Sequence, residues 1–157
     1  MEARRADPIR LIALRLRQGE LRHVVQQPGV NEAMRVTVQY HDGRHPNQVA
    51  TLTRGHGPQC TLLVVYDKPN KDVRFSYTVP LERYLALLTA LRRAHFDRLD
   101  DQPDVPFFGV DLWLVERASG SFYHDVVLQP ESAAGPHGEV VRAFREQLKE
   151  ALRPVGA

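Results

Sequence analysis

The chain has 157 residues, of which 43% are hydrophobic, 25% charged and 8% aromatic. That length suits one domain burying roughly 70% of the surface its unfolded chain exposes, and that composition excludes a disordered or fibrous protein. The formal net charge of +2 is too small to name a partner by itself. No apolar run approaches the roughly 20 residues a membrane helix needs. Residues 1 to 7 carry Arg4, Arg5 and Asp7, where a signal peptide would be building its apolar stretch. One cysteine, Cys60, cannot form an internal disulfide and fits a reducing compartment. The expectation is a soluble, cytoplasmic protein that does not engage membranes.

Asp7-Pro8 reads as a helix cap followed by proline in the first turn, and Ile9, Ile12, Ala13 and Leu16 then fall on one helical face until Gly19. A strand competes, since Ile12, Leu14 and Leu16 alternate with Ala13, Arg15 and Arg17. The cap chemistry is the more specific signal and favours the helix. Residues 26 to 33, with Pro28 and Gly29, form a loop, so that 1 to 33 is a peripheral N-terminal segment.

Met34 to His41 and Val49 to Arg54 read as strands about Asp42-Gly43, a dipeptide suited to a two-residue hairpin turn. Pro46 lacks an N–H and predicts that the second strand lies at a sheet edge. Cys60 to Tyr66 is apolar on both faces and predicts a central strand covered on both sides. Val73, Phe75, Tyr77 and Val79 alternate with polar residues as a half-buried partner.

Pro80 to Ala94 is the clearest amphipathic helix, with Leu81, Tyr84, Leu85, Leu88 and Leu91 on its apolar stripe and Glu82, Arg92 and Arg93 placed to suit the helix dipole. After an aspartate-rich loop, Val110 to Val115 and Phe122 to Leu128 alternate as two more strands about a turn at Ala118-Ser119-Gly120. His137 to Leu152 is predicted as a single final helix. The order αββββαββα predicts one α+β domain spanning 1–157: a mostly antiparallel sheet of five to six strands, two amphipathic helices on one face, and an N-terminal helix.

No catalytic signature rides on this pattern. If Asp42-Gly43 is a tight turn, His41 and His45 point to opposite sides of the ribbon and cannot share an ion with His56. His124 shares a face with Phe122, Val126 and Leu128, which describes a packed histidine with one satisfied nitrogen. Cys60 opens an apolar strand, the wrong setting for a reactive thiolate. Asp97, Asp100, Asp101 and Asp104 lack the glycine and closing glutamate of an EF-hand and read as loop carboxylates that cap turns. The segment Arg54 to Pro58 lacks the lysine and carries a proline where a phosphate loop needs an amide. No catalytic, metal or cofactor-binding residue is therefore assigned, and no cofactor is expected.

Two features point to binding. Trp113, Val115, Tyr123 and Val127 are read as sharing the sheet face opposite Leu112 and Leu114, where two helices on the other side leave them uncovered. That face calls for a protein partner, most simply a second copy in a homodimer, or for cover by Pro8 to Leu16. The second feature is charge: residues 1–78 carry 12 Lys and Arg against 7 Asp and Glu, with Arg10, Arg15, Arg17 and Arg22 concentrated near the N-terminus. These arginines are candidate anion or nucleic-acid contacts. The sequence thus predicts a non-enzymatic binding domain acting through a sheet face or edge, with nucleic-acid binding as the alternative and a His/Asp metal enzyme third.

Overall fold

The computed structural model describes residues 6–69, 71–106 and 108–156. Six strands form one antiparallel sheet: β1 (Glu32–Gln39), β2 (Gln48–Arg54), β3 (Gln59–Lys68), β4 (Lys71–Pro80), β5 (Leu112–Ser119) and β6 (Phe122–Leu128). Their order across the sheet is β4-β3-β2-β1-β5-β6. Helix α1 (Ala6–Arg15) and the single turn α2 (Leu21–Val24) precede the sheet, while α3 (Leu81–Arg93) joins β4 to β5 and α4 (Gly135–Gln147) follows β6. The α+β class with an antiparallel sheet is therefore what the chain adopts.

One face of the sheet carries the main core. Val36, Val38, Leu52, Leu62, Val64, Trp113, Val115, Val126 and Leu128 meet Tyr84, Leu87, Leu88 and Leu91 of α3 and Val140, Val141 and Phe144 of α4. The second face is closed by α1, whose Ala6, Ile9, Ile12 and Ala13 pack on Val49, Leu112, Leu114 and Val127. Leu21 and Val25 extend this cover over Ala33 and Ala118. The helical reading of residues 8 to 16 is the one realised, because period 3.6 gives α1 a full apolar stripe to bury on the sheet.

Four local expectations are corrected. First, β1 and β2 are joined by residues 40–47, with Val38 opposite Gln48. Gly43 does take a left-handed φ of 70°, but Pro46 and Asn47 stay in the loop, where Asn47 Oδ1 accepts the Tyr40 N–H at 2.8 Å. With Pro46 outside the strand, β2 is free to pair on both sides, and it lies between β3 and β1 rather than at an edge. Secondly, β3 lies inside the sheet as expected, and Leu62 and Val64 on one face and Val65 on the other are buried, but the second face is covered only at that end, since Leu63 is half-buried and Thr61 exposed.

The third correction concerns the β5–β6 hairpin. Ser119 pairs with Phe122, so the turn is Gly120-Ser121, and Trp113 lies opposite Leu128 and Val115 opposite Val126. A two-residue turn in place of the expected three-residue one changes the register by an odd number of residues and moves every side chain of the partner strand to the other face. Trp113 and Val115 therefore sit in the main core, Trp113 against the Phe144 ring with centroids 6.4 Å apart, whereas Val127 packs under α1 and Tyr123 beside α2. The four residues share no face, and Trp113, Val115 and Val127 are each buried.

The last helix is also not continuous. It breaks at Leu148 (φ −142°, ψ 50°) and resumes as a 3-10 turn over Lys149–Leu152. Buried Gln48 donates to the carbonyls of Ala151 (2.7 Å) and Arg153 (3.3 Å), and the Tyr66 hydroxyl donates to Arg153 O (2.7 Å). Arg83 takes the Gln147 carbonyl (2.9 and 2.6 Å) and pairs with Glu150. Side-chain donors from three other elements thus hold carbonyls around the break, so the chain can leave the helix at no cost in unpaired backbone.

Candidate functional site

The break after α4 builds a cleft at one end of the sheet. Val38 and Tyr40 come from the end of β1, Asp111 and Trp113 from the start of β5, and Arg44 from the loop between β1 and β2. Pro130, Glu131, Arg145, Lys149, Leu152 and Arg153 come from the C-terminal segment, and together these residues enclose about 440 Å³. Trp113 and Tyr40 supply an aromatic base. Arg145 lies over the Trp113 ring at 5.8 Å and Arg44 over the Tyr40 ring at 5.0 Å, both within cation–π reach.

Charge in the cleft is unbalanced, with Arg44, Arg145, Lys149 and Arg153 against Asp111 and Glu131. The acidic pair does not cancel it evenly. Asp111 is committed to the loop: it accepts from the His41 N–H (3.1 Å), His41 Nδ1 (2.7 Å) and Arg44 Nη1 (3.3 Å), and it pairs with Arg44 Nη2. Burial pushes its carboxyl up, but the hydrogen bonds from Arg44 and His41 outweigh that and hold it at about 2. Glu131 is 74% exposed and reaches Arg145 only at 3.6 Å, a contact worth little in water. Lys149 and Arg153 form no side-chain ion pair with any described residue.

Among the described residues, one group places metal-ligand atoms together: His41, Asp42 and Asp111, within 4.8 Å of one another. Arg44 already donates to both carboxylates, at 2.7 Å on Asp42 and through Nη2 on Asp111. The guanidinium serves there as the cation. The other histidines go elsewhere, His45 Nδ1 to Val155 O (3.2 Å) and His56 Nδ1 to Asn31 Nδ2 (3.4 Å). His124 makes the single hydrogen bond its strand position implies, to Leu99 O at 2.7 Å. Cys60 is buried, and burial raises its thiol pKa. The aspartate loop is dispersed: Asp97 makes a bidentate pair with Arg117 (2.8 and 2.6 Å), and Asp101 accepts the Val127 N–H (2.9 Å).

Of the four N-terminal arginines, Arg10 and Arg22 come together over the Tyr123 ring, at 5.8 and 5.1 Å, whereas Arg15 and Arg17 lie apart from them. Arg10 turns inward onto buried Asp125, and Arg15 pairs with Asp67 at 2.7 Å. Arg22 lies over the Tyr123 ring at 5.1 Å, and Arg17 is exposed just past the end of α1. Of the cleft residues only Trp113 was singled out from sequence, as an interface candidate; the others come from distant segments, and the break at Leu148 brings Lys149 and Arg153 to the same cleft as Tyr40. No protein-family model matches the chain, and no curated protein matches it. No helix among the described residues is long and apolar enough to cross a membrane.

Proposed function

We propose that the protein is a non-enzymatic binding domain that takes a small anion carrying a planar apolar group into the cleft between Tyr40, Trp113 and the Lys149–Arg153 segment. The carrying observation is the surplus of cations over an aromatic base: a phosphate or carboxylate gains charge-assisted hydrogen bonds from Arg145, Lys149 and Arg153, while the apolar group packs on half-buried Tyr40 above the buried indole. Binding is favoured over catalysis by the cleft's own groups. His41, outside the cleft lining, is hydrogen-bonded to Asp111 in the manner of a catalytic pair, but no serine, threonine or cysteine is among the described residues that line the cleft. In this reading the domain acts through the sheet's end. Its site is neither the homodimer face expected from the sequence, whose residues are divided between the core under α3 and α4 and the layer under α1 and α2, nor the N-terminal arginines. A buried lone cysteine suits work in the cytoplasm.

Trp113 is the only tryptophan, so its fluorescence reports the cleft directly. Titration with phenyl phosphate at low salt should change that emission in a saturable way. Lys149→Glu with Arg153→Glu, at exposed residues, should remove the response and leave the fold intact. An emission unaffected by millimolar phenyl phosphate would sink the proposal.

A further inference from the structure

A second cavity lies on the opposite face, between α1, α2 and the sheet. It encloses about 210 Å³ and is walled by Leu11, Leu14, Leu21 and Leu114, with Arg35 and Glu116 at its inner end. The register sets Arg35 of β1 directly opposite Glu116 of β5, and their residues are only 3% and 5% exposed. Such a pair is expected to close into an ion pair, since a buried charge without a partner is expensive. This pair does not close. Arg35 spends Nε on Thr51 Oγ1 and Nη1 on the Gly19 carbonyl, both at 2.8 Å, and Nη2, which makes no hydrogen bond to a described residue, is not sealed from solvent. Glu116 Oε1 accepts the Tyr123 hydroxyl at 2.5 Å, and Oε2 has no such partner either.

One spare donor and one spare acceptor, on opposite charges, thus face a cavity with aliphatic walls. We infer that this cavity is a second binding site, for a small molecule with a neutral head that both accepts and donates, such as a primary amide, on a branched aliphatic body. The head accepts from Arg35 Nη2 and donates to Glu116 Oε2, and the body meets Leu11, Leu14, Leu21 and Leu114. A neutral head follows from the surroundings, because three arginines (Arg10, Arg22 and Arg35) balance three carboxylates (Glu20, Glu116 and Asp125) around it. A carboxylate head would oppose Glu116 and an ammonium head would oppose Arg35, whereas an amide satisfies both.

The probe is 4-methylpentanamide, with 4-methylpentanoate and 4-methylpentylamine as charged controls, titrated into the full chain and followed by amide chemical shifts. Saturable shifts at Gly19, Leu114 and Glu116 are expected for the amide, with both controls at least about tenfold weaker, the scale set by one buried charge left unpaired. Glu116→Gln should weaken the amide by about tenfold as well. Should that variant fail to fold, Leu11→Ala with Leu14→Ala tests the same site from its rim, since these side chains are 57% and 69% exposed and their loss should also weaken binding. Lys149→Glu with Arg153→Glu should leave it unchanged. Shifts that do not saturate overturn the inference and mean that the cavity holds only water, and charged controls that bind as well as the amide overturn it too, since the head is then not selected.

Discussion

Asp111 is the residue on which the cleft's geometry turns, because it is the acceptor shared by His41 and Arg44. Its carboxyl sits at about 2, below the roughly 3.9 of a free aspartate. A group with a depressed folded pKa stabilises the native state above its unfolded value and loses that contribution as the pH falls through its folded value. Asp111 should therefore support the loop above about pH 4 and release it progressively towards pH 2. Carboxylate shifts followed by NMR should show this titration, and Asp111→Asn should flatten stability over the same window. Trp113 makes a different demand. Its ring is buried against Phe144, so Trp113→Ala should cost about 3–5 kcal/mol in urea unfolding followed by circular dichroism, as a core truncation does. A loss confined to self-association, with stability unchanged, would restore the interface role that the sequence suggested.

At the scale of elements, α1 is held to the sheet by Ile9 and Ile12 and by ion pairs from Arg10 and Arg15. Removing residues 1 to 16 should expose Val49, Leu112, Leu114 and Val127, and the truncated protein should aggregate in light scattering while the full chain stays soluble. The break at Leu148 has an equally local support. Gln48→Leu removes the donor that holds the carbonyls of Ala151 and Arg153, and should cost about 1–3 kcal/mol while shifting the amides of residues 149 to 153. These two elements show what periodicity can and cannot reveal. The stripe of α3 and the alternation of the strands are properties of the local chain, and they were legible. Phe144, Leu148 and Leu152 continue a helical period straight through the break, where the carbonyls are held by side chains remote in sequence, among them a glutamine about a hundred positions earlier. The β5–β6 turn failed differently: Ser119, Gly120 and Ser121 suit either register, and one residue decides the face of Trp113 relative to Val127.

Across the whole molecule, charge counted by halves does not show where cations gather in the fold. The N-terminal half is the more basic, yet Arg10 and Arg15 are spent on acids that folding brings to them, Asp125 and Asp67. The C-terminal half is net acidic, yet it supplies Arg145, Lys149 and Arg153 to the cleft, and of the two acids it also places there Asp111 is held by His41 and Arg44 while Glu131 is largely exposed. Net charge counts residues, whereas a site depends on which charges lack partners, and only topology settles that. The two cavities should consequently answer differently to salt. An anion drawn by partly exposed cations feels a field that is screened within about 30 Å at 0.01 M ionic strength and within about 8 Å at 0.15 M. Phenyl phosphate binding, read from Trp113, should weaken several-fold between those conditions. The amide probe meets buried groups through a neutral head, so its affinity should stay constant over the same range. Equal salt dependence at both cavities would contradict this division, since it would make the same diffuse field responsible for both.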